Sequence, residues 1–185
     1  MTNTLQRSLA NLLLFLSGWK IEGELSDLKK CVIIGAPHTS NWDFFYSMIY
    51  AFYFGLDIHF LMKQELFRFP FRWFFSCIGG IPINRKKSEK KVDLLCEQMK
   101  NADHYYLAMS PEGSRKAVSK WKSGFYYIAK QADVPIALGY FDYGKRVVGI
   151  GPIFYPSGNF DLDMNKILQF YSTKQAKFPQ NFYHP

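Results

Sequence analysis

Cysteine is scarce: Cys31, Cys77 and Cys96 are the only three in 185 residues. An odd number without C-x-x-C or C…H spacing excludes a disulfide framework and a closed zinc site. Three reduced, buried thiols in a cytosolic setting are expected instead. Long apolar runs are missing too. No segment reaches the roughly 18–20 apolar residues that a bilayer-spanning helix needs. Carboxylates are few: 15 Asp and Glu stand against 23 Lys and Arg, a net charge of +8. That imbalance points to an anionic partner, whether a membrane surface, an acidic carrier protein, a phosphorylated substrate or a nucleic acid. Repeats, low-complexity tracts and linkers are lacking, so the chain reads as one domain with a sizeable core.

Aromatic residues are plentiful at 18%, with 18 Phe and 12 Tyr, and some of those rings must lie near the surface. The N-terminus is amphipathic. Leu5, Leu9, Leu12, Leu13 and Leu16 share one helical face, and Leu14 and Phe15 widen it. Gly18 is a natural helix stop, and Trp19 is expected at headgroup level. No small-residue cleavage pattern follows, so a signal peptide does not fit. The helix either lies in a membrane interface or packs on its own core.

Short apolar strands alternate with helical patterns. The strands are expected at 31–36, 57–62, 80–83, 104–109, 134–141 and 146–151. The helices are expected at 4–17, 41–55, 64–77, 87–101, 119–132 and 161–176. This alternation predicts a single α/β domain: a largely parallel or mixed sheet flanked by helices, with the amphipathic N-terminal helix as an arm.

His38 and Asp43 form an H-x-x-x-x-D pair at the turn between the apolar run Cys31–Ala36 and a helix opening at Asn41. Five helical positions turn the chain by about 500°, which does not align two side chains. The spacing makes sense with His38 in the loop and Asp43 in the first helical turn. The carboxylate then reaches back to one imidazole nitrogen and leaves the other free as a base. A negative charge favourable at a helix start, a satisfied loop histidine and a zinc ligand are the competing readings. For zinc, no further clustered His or Cys accompanies the pair, so no metal site is assigned.

Three more segments occupy strand ends. Arg85 closes Gly80-Ile81-Pro82-Ile83-Asn84-Arg85, and its planar fork suits phosphate oxygens. The lysines that follow it read as a solvated basic face. Ser110-Pro111-Glu112-Gly113-Ser114-Arg115 follows the strand at 104–109. It is either an ordinary turn or a site in which Glu112 meets substrate hydroxyls, Gly113 permits close approach and Arg115 adds a phosphate donor. Val134-Pro135-Ile136-Ala137-Leu138 reads as a buried strand shaping a pocket wall.

Together these four blocks, in this order, resemble the PlsC-like glycerolipid acyltransferases typified by 1-acylglycerol-3-phosphate acyltransferase. The family's blocks H-x-x-x-x-D, G-x-I-x-x-x-R, P-E-G-[ST]-R and V-P correspond here to His38–Asp43, Gly80–Arg85, Pro111–Arg115 and Val134–Pro135. Lys63-Gln64-Glu65-Leu66 looks like its K-x-E-L segment. Pro37, Pro82, Ser110 and Leu138 depart from the usual residues around these blocks. The resemblance implies a membrane-docking helix over 1–20 and an acyltransferase domain over 21–185. It implies acyl transfer from acyl-CoA or acyl carrier protein, as co-substrate and without a cofactor, to a lysolipid hydroxyl. His38 would be the base and Asp43 its partner. Arg85, Glu112, Gly113, Ser114 and Arg115 would hold the acceptor. Amides near Ser40 and Asn41 would face the oxyanion. The expected place is the cytoplasmic face of the cell membrane, bound peripherally through the N-terminal helix and the aromatic-basic stretch 67–75. The departures leave room for another acceptor, such as a lyso-aminolipid or a non-glycerol alcohol. A non-catalytic lipid binder would share the charge and the helix but has no need of a positioned base. A nucleic-acid partner is not expected, because no recognition motif accompanies the charge.

Overall fold

The computed structural model describes residues 4–25, 28–84 and 89–182. Seven strands form one sheet: β1 (Lys20–Glu22), β2 (Lys30–Ala36), β3 (Ile58–Lys63), β4 (Gly80–Ile83), β5 (Tyr105–Met109), β6 (Ile136–Asp142) and β7 (Val147–Phe154). Their order is β1-β7-β6-β2-β5-β3-β4, parallel throughout except for the antiparallel β6–β7 hairpin. The helices are α1 (Thr4–Ser17), α2 (Asn41–Phe54), α3 (Arg72–Cys77), α4 (Glu89–Asn101), α5 (Gly124–Ala132) and α6 (Phe160–Ser172).

Side chains on a strand alternate between faces, and β2 divides the core accordingly. Val32, Ile34 and Ala36 pack with residues of α4, α5 and α6. Cys31 and Ile33 pack with α1 and α2 on the other face. β6 is buried along its whole length, as its unbroken apolar run requires. The carboxyl ends of β2, β5 and β6 lie side by side, with Ile34 opposite Met109 and Ala36 opposite Tyr140. The loops leaving these three strands therefore emerge at one edge.

Several expectations need correction. The helix expected over 64–77 is a 3-10 turn at Gln64–Phe67 followed by the short α3. Pro70 lacks an N–H and restricts Phe69, which stops a continuous helix there. The helix expected from 119 begins at Gly124, because Trp121 is drawn into the core against Tyr171. β1 is an additional strand, and it opens at Lys20, the last residue assigned to the helical arm. The start of the helix expected over 87–101, at residues 87 and 88, lies outside the described residues.

The α1 helix ends where expected, at Gly18 with φ of 69°. It buries Ala10 and Leu14 against the body of the protein, while Leu5, Leu9, Leu12, Phe15 and Leu16 stay exposed. Thus α1 packs on the core along a narrow line and leaves most of its wide apolar face exposed. Trp19 is not at the surface. It is 7% exposed and stacks on Tyr46 with centroids 3.7 Å apart, because Gly18 turns the chain inward. Cys31 and Cys96 are buried and Cys77 is exposed, all three as free thiols. Burial pushes the Cys31 thiol up to about 12.

Candidate active site

Ser40 is the N-cap of α2. Its backbone is extended, its hydroxyl accepts from the Trp42 amide at 3.2 Å, and Asp43 closes a capping box. The Asp43 carboxylate is fully buried. Its Oδ2 accepts from the Thr39 and Ser40 amides at 2.9 and 2.8 Å and meets His38 Nδ1 at 3.2 Å. The helix-capping reading of Asp43 therefore holds, and the same carboxylate contacts the His38 ring. A side chain locked by the helix start is what aims the imidazole. With Nδ1 occupied, Nε2 is the nitrogen left for a reaction, on a side chain 27% exposed.

The other oxygen of the pair's carboxylate has a partner the spacing of motifs did not reveal. Tyr143, in the turn between β6 and β7, donates its hydroxyl to Asp43 Oδ1 at 2.7 Å. The Tyr143 ring lies edge-on to Trp19 at 4.8 Å. Burial, and then the bond to Asp43, raise the Tyr143 phenol well above its usual range, so it remains the donor.

Glu112 is buried, and its Oε1 accepts the His38 amide at 2.6 Å. It holds the loop that carries His38 rather than facing open solvent. Burial pushes its carboxyl up to about 7, and the single amide bond offsets only part of that. Gly113, at φ of 63°, turns the chain after Glu112, a left-handed conformation that favours glycine. Ser114 is half-buried, and its hydroxyl accepts from the Lys116 amide at 3.1 Å. Arg115 is exposed and donates through Nη1 to Asn41 Oδ1, which ties the P-E-G-S-R loop to the start of α2. The structure thus gathers His38, Asp43, Glu112 and Arg115 at one sheet edge. Arg85 lies outside the described residues. The Ser40 amide, expected near the oxyanion, is committed to Asp43. Leu138 is buried in the core on β6.

A cleft of about 310 Å³ opens beside this edge, lined by Thr39, Asn41, Trp42, Arg115, Lys177 and Phe178. The last two come from the segment after α6, which the blocks did not reach. No group of three or more His, Cys, Asp or Glu that could hold a metal occurs among the described residues.

The fold is similar to that of the crystal structure of PlsC, the 1-acyl-sn-glycerophosphate acyltransferase from Thermotoga maritima. The two share 16% identity and a TM-score of 0.62 over 94% of this chain and 81% of that one. None of the curated proteins compared with the chain matches it. The family model described as Acyltransferase matches residues 19–137, a stretch that holds His38, Asp43 and the P-E-G-S-R loop. A histidine positioned by a buried carboxylate, on this fold and inside this match, places the chain in the Acyltransferase family.

Proposed function

We propose that the protein moves a fatty acyl group from a thioester to the hydroxyl of a lysophospholipid such as 1-acylglycerol-3-phosphate. The observation that carries this reading is the His38 ring, held by Asp43 through Nδ1 with Nε2 left open. In the proposed reaction Nε2 takes the proton of the acceptor hydroxyl as that oxygen attacks the thioester carbon. The tetrahedral intermediate collapses, the carbon–sulfur bond breaks and the proton passes to the departing thiolate. The attacking oxygen belongs to the substrate, so no serine or cysteine nucleophile is required. Asp43 orients the ring and offsets the positive charge it acquires. Base catalysis of this kind is worth about 10²–10⁴-fold. The name of the structurally similar Thermotoga protein supports a phosphorylated acceptor. Arg115 beside the pair supports it as well, and Arg85 is assigned the same role.

Both substrates and product of such a reaction are amphiphiles. The open face of α1 and the rings of Phe69, Phe71, Trp73 and Phe74, interleaved with Arg68 and Arg72, support peripheral docking on an anionic cytoplasmic leaflet. No helix among the described residues is long and apolar enough to cross a membrane.

The test is thiol release from acyl-CoA and acyl carrier protein donors across a panel of acceptors: lysophosphatidate, other lysophospholipids, a lyso-aminolipid and a simple alcohol. Release that depends on the acceptor and drops by about 10²-fold or more in His38→Ala is expected. No release with any acceptor, from folded protein bound to vesicles, overturns the proposal in favour of a lipid binder.

A further inference from the structure

Lys177 lies beyond the last residue matched by the family model, and none of the sequence blocks includes it. The fold nevertheless brings it to the active site. The segment leaving α6 is pinned on both sides of it. The Tyr143 amide donates to the Gln175 carbonyl at 2.8 Å, and the Phe178 amide donates to Thr39 Oγ1 at 3.2 Å. Ala176 is buried between them. Lys177 is thereby fixed between the turn that bears Tyr143 and the loop that bears His38.

Its ammonium is surrounded by rings rather than acids. Nζ lies 5.0 Å from the centroid of Trp42, 5.8 Å from that of Tyr143 and 5.9 Å from that of Phe178. Ring faces attract the cation but accept none of its three N–H donors in a strong hydrogen bond. Among the described residues no carboxylate forms an ion pair with Lys177. Arg115 stands on the same cleft with one nitrogen on Asn41 and further donors of its fork to offer. The cleft wall therefore carries two cations, neutral polar groups and aromatic surface, and no acid.

We propose that Lys177, with Arg115, holds the phosphate of a substrate in this cleft and so sets the preference for phosphorylated over phosphate-free substrates. This rests on the acyl-transfer reading above. The ring cage keeps the lysine from collapsing onto a surface carboxylate and presents its donors towards the cleft. A phosphomonoester, with up to two negative charges and several acceptor oxygens, matches two cations better than a zwitterionic headgroup does. The phosphate belongs either to the acceptor lipid, as a monoester, or to the donor, as the anionic diester or pyrophosphate that carries its pantetheine.

Lys177→Met keeps the apolar stem over the rings and removes the donors; Lys177→Arg keeps a cation. Selectivity for lysophosphatidate over monoacylglycerol is expected to fall about tenfold or more in Lys177→Met, through KM, and to recover in Lys177→Arg. A comparable loss in selectivity for acyl-CoA over acyl-N-acetylcysteamine would assign the phosphate to the donor and equally support the proposal. Unchanged selectivity for both pairs overturns it, as does a uniform fall in kcat with every substrate. Calorimetric titration with glycerol 3-phosphate and with coenzyme A needs no turnover. Weaker binding of either probe in Lys177→Met supports the proposal even for a protein that acylates none of the acceptors, a result that would sink the acyltransferase reading alone. Equal binding by wild type and variant, or none by the wild type, overturns it.

Discussion

At the scale of the residue, the two carboxylates near His38 do different work for different reasons. Asp43 touches the ring, whereas Glu112 touches the backbone that bears it. Tyr143 secures the second oxygen of Asp43. Tyr143→Phe keeps the ring packed on Trp19 and deletes only the donor. Steady-state kinetics should show kcat reduced about tenfold with KM little changed, a loss of the size expected for one charge-assisted hydrogen bond. Glu112 makes a prediction about pH. Its carboxyl rises from 4.5 in the unfolded chain to about 7 in the fold, so between those values the folded state holds a proton that the unfolded chain has released. Stability falls as pH climbs through that window, by about 3 kcal/mol from this group alone. Urea unfolding at pH 4.5 and 8 should show Glu112→Gln losing less stability than wild type over the interval. Equal losses would mean that Glu112 titrates normally. The His38–Asp43 pair was legible in the sequence because only four residues separate them, across a turn between an apolar run and a helix start. Tyr143 was not legible, since it lies a hundred positions along the chain from Asp43 and only the β6–β7 turn closes that gap.

At the scale of the element, the amphipathic α1 shows how a correct periodicity yields an incomplete assignment. Its apolar residues cover more of the helix than the core can take. Ala10 and Leu14 are buried, and of the leucines that carried the pattern only Leu13 packs partly against the core. Leu14→Ala should cost about 2–5 kcal/mol in urea unfolding, in line with other buried leucines. Phe15→Ala, on the open face, should change stability by less than about 0.5 kcal/mol while weakening vesicle binding in co-sedimentation. Elements with long apolar runs, β2 and β6, stood out in the sequence because burial on both faces leaves no room for polar residues. β1 did not, because three residues paired along a sheet edge carry too little pattern. The break at Pro70 was written in the chain, yet the aromatic run around it imitated a helix.

At the scale of the whole molecule, a net charge of +8 accompanies two apolar surfaces, the open face of α1 and the rings between Phe69 and Phe74. Attraction to anionic lipid and burial of rings should act together. Co-sedimentation with vesicles rich in anionic lipid should weaken as salt rises, since screening shortens the reach of surface charge to about 8 Å near physiological strength. Binding that ignores both salt and lipid charge would leave apolar insertion as the whole cause. The burial of the four tryptophans has an optical consequence. Trp19 and Trp121 are 7% and 6% exposed, whereas Trp42 and Trp73 are 51% and 76% exposed. The protein thus carries two silent indoles and two that sense their surroundings. One of the sensing pair lies in the first turn of α2, beside the candidate site, and the other on the short helix α3. On adding vesicles, a blue shift that Trp73→Phe abolishes would locate the lipid at α3. A shift that survives that change and is lost in Trp42→Phe would locate it at the mouth of the cleft beside His38, with no label attached.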